Sequence, residues 1–169
     1  MLGQVAIIPL SPAALAALAA GDLATACAAS PVPLSAELAG PAHRPLWRYR
    51  SRQVAADPAA AAWVTGVVWD PWQAVAVGRA GYHGPPDPAG MVEVGYAIDP
   101  AYRRQGYARA ALVLLLDRAA REPAVRVVRA TISPANAASR ALVAKYGFAE
   151  VGEQWDDVDG LETIFERAA

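Results

Sequence analysis

The stretch VEVGYAIDPAYRRQGYARAALVLLLDRA, residues 92–119, changes from the pattern of a strand to that of a helix within a few positions. Its first part alternates apolar residues with polar or small ones, which indicates a half-buried β-strand. Its last part is a long apolar run without proline, which indicates an α-helix packed against a core. Two arginines and a turn of small residues join the two parts. The stretch therefore predicts a strand, a short loop and a helix in direct succession.

The arginine loop, RRQGYA at residues 103–108, has the chemistry of an anion site. The first N–H groups of a helix lack backbone partners and carry the positive end of the helix dipole. Gly106 and Ala108 have little or no side chain, so a phosphate group can approach these amides closely. Arg103 and Arg104 add positive charge. An ordinary strand-to-helix junction with surface arginines stays an alternative, because a small-residue turn is a weak signal by itself.

Apolar periodicity and turn residues divide the rest of the chain into short elements. Strands are predicted at residues 4–10, 61–70, 73–84, 91–98, 124–133, 148–157 and 160–168. Helices are predicted at residues 12–21, 45–57, 103–122 and 134–147, and the proline-rich segment 31–44 is predicted as a loop. The order of these elements indicates one mixed sheet with helices packed on it.

Composition limits the classes of function. The 169 residues, of which 55% are hydrophobic and 18% charged, carry a formal net charge of -1, which is typical of a globular chain that does not bind nucleic acid. The alanine-rich start has no basic residues and is interrupted by Pro12 and Asp22, so neither a signal peptide nor a membrane span is predicted. The single cysteine, Cys27, lies in a segment predicted as a loop and fits a reducing cytoplasm. His43 and His83 have no second ligand at metal spacing, so no metal site is predicted.

Two motifs carry a resemblance to a known superfamily. Arg103, Gly106 and Ala108 follow the strand VGYAI in the pattern Arg/Gln-x-x-Gly-x-Gly/Ala, which resembles the acetyl-CoA pyrophosphate loop of the GNAT N-acetyltransferases. The later segment NAASRALVAKYGFAEVG, residues 136–152, resembles the second cofactor motif of that superfamily, Asn-x-x-Ser followed by Lys-x-Gly-Phe. The chain most resembles the RimJ/RimL-like branch, which acetylates N-terminal amines of ribosomal proteins and many small amines. The resembling motifs span about residues 78–152.

The resemblance implies an α/β (α+β) fold. It is expected as a single domain over residues 1–169, with a central mixed, mostly antiparallel seven-stranded sheet flanked by about four helices. The implied activity is an acetyl-CoA-dependent transfer of an acetyl group directly to a primary amine, either a protein N-terminus or a small molecule. Acetyl-CoA is the donor substrate, and no metal, nucleic acid or membrane is expected. Enzymes of this kind often pair as homodimers, and a cytoplasmic location is expected.

Two other classes of function compete with this reading. The first is a sensor or partner module that binds acyl-CoA without transferring the acyl group. Intact residues in both motifs favour the enzyme, because a degraded enzyme would be free to lose Asn136 and Ser139. The second is a nucleotide-binding module of the P-loop type, which the absence of any Gly-Lys-Ser/Thr sequence argues against.

The resemblance also assigns roles to the residues that bind the donor. The pyrophosphate is expected on the arginine loop, at Arg103, Arg104, Gln105, Gly106, Tyr107 and Ala108. The backbone of Tyr96, Ala97 and Ile98 is expected to pair with the pantetheine arm, and an N–H group near Ala97 to stabilise the oxyanion. Asn136 is expected to bind the pantetheine.

Ser139 is the implied general acid for the leaving thiolate. A serine hydroxyl is a weak acid, so its expected role is to relay a proton or to donate a hydrogen bond. Packing as a small helix residue stays an alternative for Ser139. Many other GNAT enzymes use a tyrosine four residues before the glycine of Gly-Phe, but here that position is Val143, and Tyr146 is out of register.

The base that deprotonates the amine has two candidates. Alternation along the strand places Glu93 on the face opposite Val92 and Val94, where a carboxylate can take an amine proton through water. A solvent-exposed strand residue is an equal alternative. The acidic run EQWDDVDG, with Asp156, Asp157 and Asp159, either solvates a hairpin or attracts a cationic acceptor.

The sequence leaves the roles of two aromatic residues and one histidine undetermined. Trp47 and Tyr49 belong to the core or line the acceptor pocket. His83 lies beside the expected acceptor groove and is interpreted as a cap of its loop. The identity of the amine and the oligomeric state do not follow from the sequence.

Overall fold

The structure, a computed structural model, describes residues 5–169. Its strands are β1 (Ala6–Ile8), β2 (Gly66–Asp70), β3 (Val75–Tyr82), β4 (Met91–Ile98), β5 (Val127–Ile132), β6 (Ala149–Asp156) and β7 (Gly160–Ala168). Its α-helices are α1 (Pro12–Ala20), α2 (Leu23–Ala28), α3 (Arg44–Ala56), α4 (Tyr107–Arg121) and α5 (Ala137–Lys145). The strands form one seven-stranded sheet in the order β1-β2-β3-β4-β5-β7-β6.

The sheet is mixed, as predicted. The pair β4–β5 is parallel, whereas β1–β2, β2–β3, β5–β7 and β6–β7 are antiparallel. The parallel ladder joins Met91–Glu93 to Val127–Arg129. Strand β4 has the predicted bounds, while Gln4, at the start of the predicted first strand, lies outside the described residues.

Helix α2 corrects the prediction of a loop around Cys27, and the described residues 5–169 form five α-helices where about four were expected. Its six residues are too few to show a helical period in the sequence. Asp22 provides the start, because its carboxylate accepts hydrogen bonds from the backbone N–H of Thr25 at 3.0 Å and from its hydroxyl at 2.6 Å. Cys27 therefore lies in a helix, where its sulfur accepts from the Leu34 N–H at 3.4 Å.

Two of the elements that begin later than predicted do so for an identifiable reason. Strand β2 begins at Gly66 rather than near residue 61, because Pro58–Ala62 form a short 3₁₀ turn that the Asp57 carboxylate caps. The long helix begins at Tyr107 rather than at residue 103. The reason for the second shift lies in the backbone of the arginine loop, described below.

The chain divides into two compact units. Unit 1 comprises Met1–Pro85 and Gly95–Leu115, and unit 2 comprises Pro86–Val94 and Leu116–Ala169. Each has buried apolar residues of its own.

In unit 1, helices α1 and α3 share one apolar core with strands β2 and β3. Trp47 of α3 is fully buried there, and its indole N–H donates to the Leu38 carbonyl at 2.7 Å. Trp47 is therefore a core residue, whereas Tyr49 on the same helix is 60% exposed.

In unit 2, helix α5 packs on the buried face of β7. The Arg140 guanidinium donates to the Thr163 hydroxyl at 2.7 Å and lies over the Phe165 ring, 5.3 Å from its centroid. Strand β6 is the last strand of the sheet, and its apolar residues Val151 and Trp155 are mostly exposed.

Candidate functional site

The arginine loop in unit 1 has a left-handed backbone at two of its residues. The φ angles of Arg104 and Gly106 are 61° and 88°. Glycine adopts such angles without strain, whereas a residue with a β-carbon at position 106 would be strained at this φ angle. These angles also interrupt the helical path, which explains why α4 begins at Tyr107.

The first backbone amides of α4 lie directly after this turn. The first helical hydrogen bond runs from the Ala110 N–H to the Gly106 carbonyl at 3.0 Å. The amides of Tyr107 and Ala108 precede it, so they belong to the group of N–H donors that a helix start offers to an anion. Arg103 and Arg104, which adjoin them, are both exposed. The loop thus combines backbone donors, two cations and a glycine without a side chain.

Side-chain bonds tie this loop to the end of β4 and to the short turn that follows β4. The Arg103 Nε–H donates to the Ile98 carbonyl at 3.0 Å, and the Gln105 side-chain amide donates to the Ala101 carbonyl at 3.1 Å. Of the residues expected to pair with pantetheine, Ile98 thus already has its carbonyl bound within the chain. Tyr96 and Ala97 precede it on β4.

Tyr107 turns its side chain away from solvent, with 6% of its surface exposed. Its hydroxyl donates to Asp70 Oδ2 at 2.7 Å and accepts from the Gln73 side-chain amide at 2.6 Å. Burial and the neighbouring Asp70 carboxylate raise the pKa of Tyr107 to about 12, so the hydroxyl stays protonated at neutral pH. The hydrogen bond from Tyr107 in turn lowers the pKa of Asp70 below its ordinary value. Only the backbone of Tyr107 is therefore offered to a ligand.

Glu93 in unit 2 has a partner that the sequence did not reveal. The Thr131 hydroxyl on β5 donates to Glu93 Oε1 at 2.5 Å. Glu93 is partly exposed, while Val92 and Val94 are buried, so the predicted alternation along β4 is confirmed. The hydrogen bond holds the carboxylate in one orientation.

Asn136 and Ser139, also in unit 2, lie one helical turn apart, as their spacing predicted. Asn136 caps α5, because its side-chain oxygen accepts from the Ser139 backbone N–H at 3.1 Å. Asn136 is exposed and Ser139 is partly exposed. The cap uses the backbone N–H of Ser139 and not its hydroxyl, which lies in the first turn of the helix.

The acidic hairpin between β6 and β7 uses one of its carboxylates for its own turn. Asp156 Oδ1 accepts from the backbone N–H groups of Asp159 at 2.8 Å and Val158 at 2.7 Å. These hydrogen bonds lower the pKa of Asp156. A carboxylate with this role supports the interpretation of the run as a solvated hairpin.

His83 follows the end of β3 in unit 1. Its carbonyl accepts from Arg50 Nη1 and from the Gln53 side-chain amide, both at 2.8 Å. Its imidazole lies against Gly95, where a β-carbon would stand 2.9 Å from His83 Nε2. The backbone of His83 thus anchors the chain after β3, and Gly95 leaves room for the ring.

The expected site residues are distributed over both units. Tyr96–Ile98 and the arginine loop belong to unit 1, whereas Glu93, Asn136 and Ser139 belong to unit 2. Sequence reasoning missed Asp70, Gln73 and Thr131, which hold expected site residues through hydrogen bonds.

Two features are absent from the described residues 5–169. None of the helices there has the length and apolar character needed to cross a membrane. Within the same residues, no group of three or more His, Cys, Asp or Glu side chains is arranged to hold a metal ion.

The sequence matches a family model described as an acetyltransferase (GNAT) domain over residues 6–149. It is also 35% identical over 72 residues to YjdG of Bacillus subtilis, an uncharacterised N-acetyltransferase. That match covers 43% of this chain and 43% of the relative, so it spans less than half of the length of either protein.

Solved structures share the fold over nearly the whole chain. A chimera of the spermidine N-acetyltransferase SpeG from Vibrio cholerae and hSSAT superposes with a TM-score of 0.69 at 16% identity, covering 98% of this chain and 95% of that one. Mycobacterium smegmatis RimJ, in complex with CoA-disulfide, superposes with a TM-score of 0.68 at 21% identity, covering 99% of this chain and 83% of that one. At such identities the likeness is one of fold.

Proposed function

The chain belongs to the GNAT acetyltransferase family, and on this premise we propose that it transfers the acetyl group of acetyl-CoA directly to a primary amine. The observation that carries the proposal is the arginine loop. Its glycine has a φ of 88°, and it stands at the start of α4 beside two exposed arginines. Backbone amides and cations in this arrangement suit the pyrophosphate of the donor.

The donor's other parts are proposed to meet β4 and α5. The backbone of Tyr96 and Ala97 would pair with the pantetheine arm, and an N–H group near Ala97 would stabilise the oxyanion that forms on the acetyl carbonyl. Asn136, besides capping α5, would bind the pantetheine. These roles follow from the family's motifs at matching positions.

The reaction moves two protons. The amine nitrogen must lose a proton to attack the acetyl carbon, and the carbon–sulfur bond then breaks to release a thiolate. We assign the first proton to Glu93, whose carboxylate the Thr131 hydroxyl orients. The thiolate would receive its proton through the Ser139 hydroxyl.

The acceptor is proposed only as a class. A spermidine acetyltransferase and RimJ share the fold, which makes a polyamine and a protein N-terminus the two acceptors to test first. The RimJ/RimL-like branch, a homodimer and a cytoplasmic location remain proposals that rest on the resemblance and, for the location, on the free thiol of Cys27.

One experiment tests the proposal against the sensor module. The release of free CoA thiol from acetyl-CoA is measured with a panel containing spermidine, other small amines and peptides with free N-termini. Thermal unfolding is followed in parallel with acetyl-CoA and with ATP. We expect stabilisation by acetyl-CoA alone and thiol release with at least one amine. Stabilisation without thiol release would favour the sensor, and no stabilisation would overturn both functions.

Ser139→Ala is expected to lower kcat by about 10- to 100-fold while changing the Kd of acetyl-CoA by less than about threefold. The substitution removes the hydroxyl but keeps the backbone N–H that Asn136 caps. Steady-state kinetics and calorimetric titration with acetyl-CoA in the absence of an amine measure the two effects. Ser133→Ala, which removes another partly exposed hydroxyl just before α5, is the control. Equal losses of kcat and affinity in Ser139→Ala would show that Ser139 only positions the donor.

A further inference from the structure

We propose that Asp70 and Gln73 are positioning residues that orient the arginine loop through the hydroxyl of Tyr107. The inference rests on the proposed function, because it concerns the loop as the site of the donor's pyrophosphate. It adds to that function two residues, one at the end of β2 and one in the turn that follows it, which are distant in sequence from either cofactor motif.

The three side chains form a closed hydrogen-bonded triangle in unit 1. The Tyr107 hydroxyl donates to Asp70 Oδ2 at 2.7 Å, and the Gln73 amide donates both to that hydroxyl at 2.6 Å and to Asp70 Oδ2 at 3.1 Å. Asp70 is 2% exposed and Tyr107 is 6% exposed. Hydrogen bonds to a buried carboxylate are strong, since the alternative is an unpaired charge away from water.

The second carboxylate oxygen of Asp70 is not needed to make its turn. Asp70 Oδ1 alone accepts from the Trp72 N–H at 2.8 Å and the Gln73 N–H at 3.0 Å. Asp156 makes the same pair of backbone bonds in the β6–β7 hairpin, where the residue is partly exposed and has no buried tyrosine to hold. Comparison of the two turns separates the functions of the two oxygens: Oδ1 shapes the turn, and Oδ2 binds Tyr107.

Tyr107 is the residue through which this contact reaches the loop. It is the first residue of α4 and directly follows Gly106, whose left-handed backbone sets the direction of the helix start. The amides of Tyr107 and Ala108 are among those proposed to face the phosphate. A buried hydrogen bond to the side chain of Tyr107 restricts the rotation and tilt of these amides, on which their hydrogen bonds to a phosphate depend.

The test compares two acetyl donors that differ only in the part that the loop is proposed to bind. Acetyl-CoA carries the pyrophosphate and nucleotide, whereas S-acetylpantetheine has the same thioester without them. For the unmodified protein we expect kcat/KM to be higher with acetyl-CoA. Tyr107→Phe is expected to lower kcat/KM for acetyl-CoA by about 10-fold, through KM, and to leave the value for S-acetylpantetheine within about twofold.

Tyr82→Phe is the matched control. The Tyr82 hydroxyl is also buried in unit 1 and also bonds helix α4, but it donates to the Leu115 carbonyl, at 2.6 Å, well beyond the first turn. Its loss removes a comparable hydrogen bond without touching the helix start. We expect the preference for acetyl-CoA to persist in this variant.

Asp70→Asn provides a second variant that keeps the size of the side chain and an oxygen for the turn. It is expected to reduce the donor preference in the same direction as Tyr107→Phe. An equal fall with both donors, or an unchanged preference in both variants, would overturn the positioning role. If the unmodified protein transferred acetyl groups with no preference for acetyl-CoA, the assignment of the pyrophosphate to the loop would fail instead.

Discussion

Gly106→Glu is expected to abolish the binding of acetyl-CoA. The φ angle of 88° at this position disfavours any residue with a β-carbon, and the new carboxylate would stand among the amides and arginines that are proposed to receive the pyrophosphate. We expect at least about a 100-fold increase in Kd, since two negative groups would compete for the same donors. Calorimetric titration with CoA measures the change.

Gly160→Glu is the control for backbone strain and added charge. Gly160 has a φ of 78° in the β6–β7 hairpin, and the nearest atom that a β-carbon would meet there, from Trp155, is 4.0 Å away. This variant should therefore suffer similar strain and bind CoA with nearly unchanged affinity. If the Gly106→Glu protein were folded and bound CoA normally, the assignment of the pyrophosphate to the arginine loop would be wrong.

Trp47→Ala is expected to lower the free energy of unfolding by about 3–5 kcal/mol, which is a large part of the stability of a domain this size. The substitution leaves a cavity at a fully buried position and removes the donor of the Leu38 carbonyl. Urea unfolding followed by circular dichroism measures the difference.

Trp72→Ala is the matched tryptophan control, because 82% of the Trp72 side chain is exposed in the turn between β2 and β3. Its expected effect is within about 0.5 kcal/mol. Similar losses in the two variants would contradict the assignment of Trp47 to the core. Little loss in Trp47→Ala alone would return Trp47 to the set of candidate pocket residues.

Local signals in the sequence predicted much of the fold. Helix α1 begins at Pro12 as predicted, and its start is capped by a hydrogen bond from the Ala14 N–H to the Ser11 hydroxyl at 3.1 Å. The alternation in β4 gave its bounds. Helix α2 was not predicted, because it has only six residues after its cap at Asp22, which is fewer than two helical turns.

The candidate site was predictable only where its chemistry is local. The arginine loop and the Asn136–Ser139 turn are short motifs whose residues act through nearby backbone. The bonds from Tyr107 to Asp70 and from Thr131 to Glu93 join residues that are 37 and 38 positions apart. Periodicity tells which face of an element is buried, but not which distant side chain will meet it. Such partners follow only from the strand order and register.

The two ends of the sheet also bear on how the protein behaves in concentrated solution. Strand β1, at one end, has three residues, and a strand so short offers few free backbone groups to a neighbouring molecule. Strand β6, at the other end, exposes Val151 and Trp155. Glu150 directly precedes Val151, and Glu153 lies between the two apolar residues in sequence. The charge of Glu153 and the Arg140–Glu150 ion pair beside these apolar residues oppose edge-to-edge pairing of β6 strands.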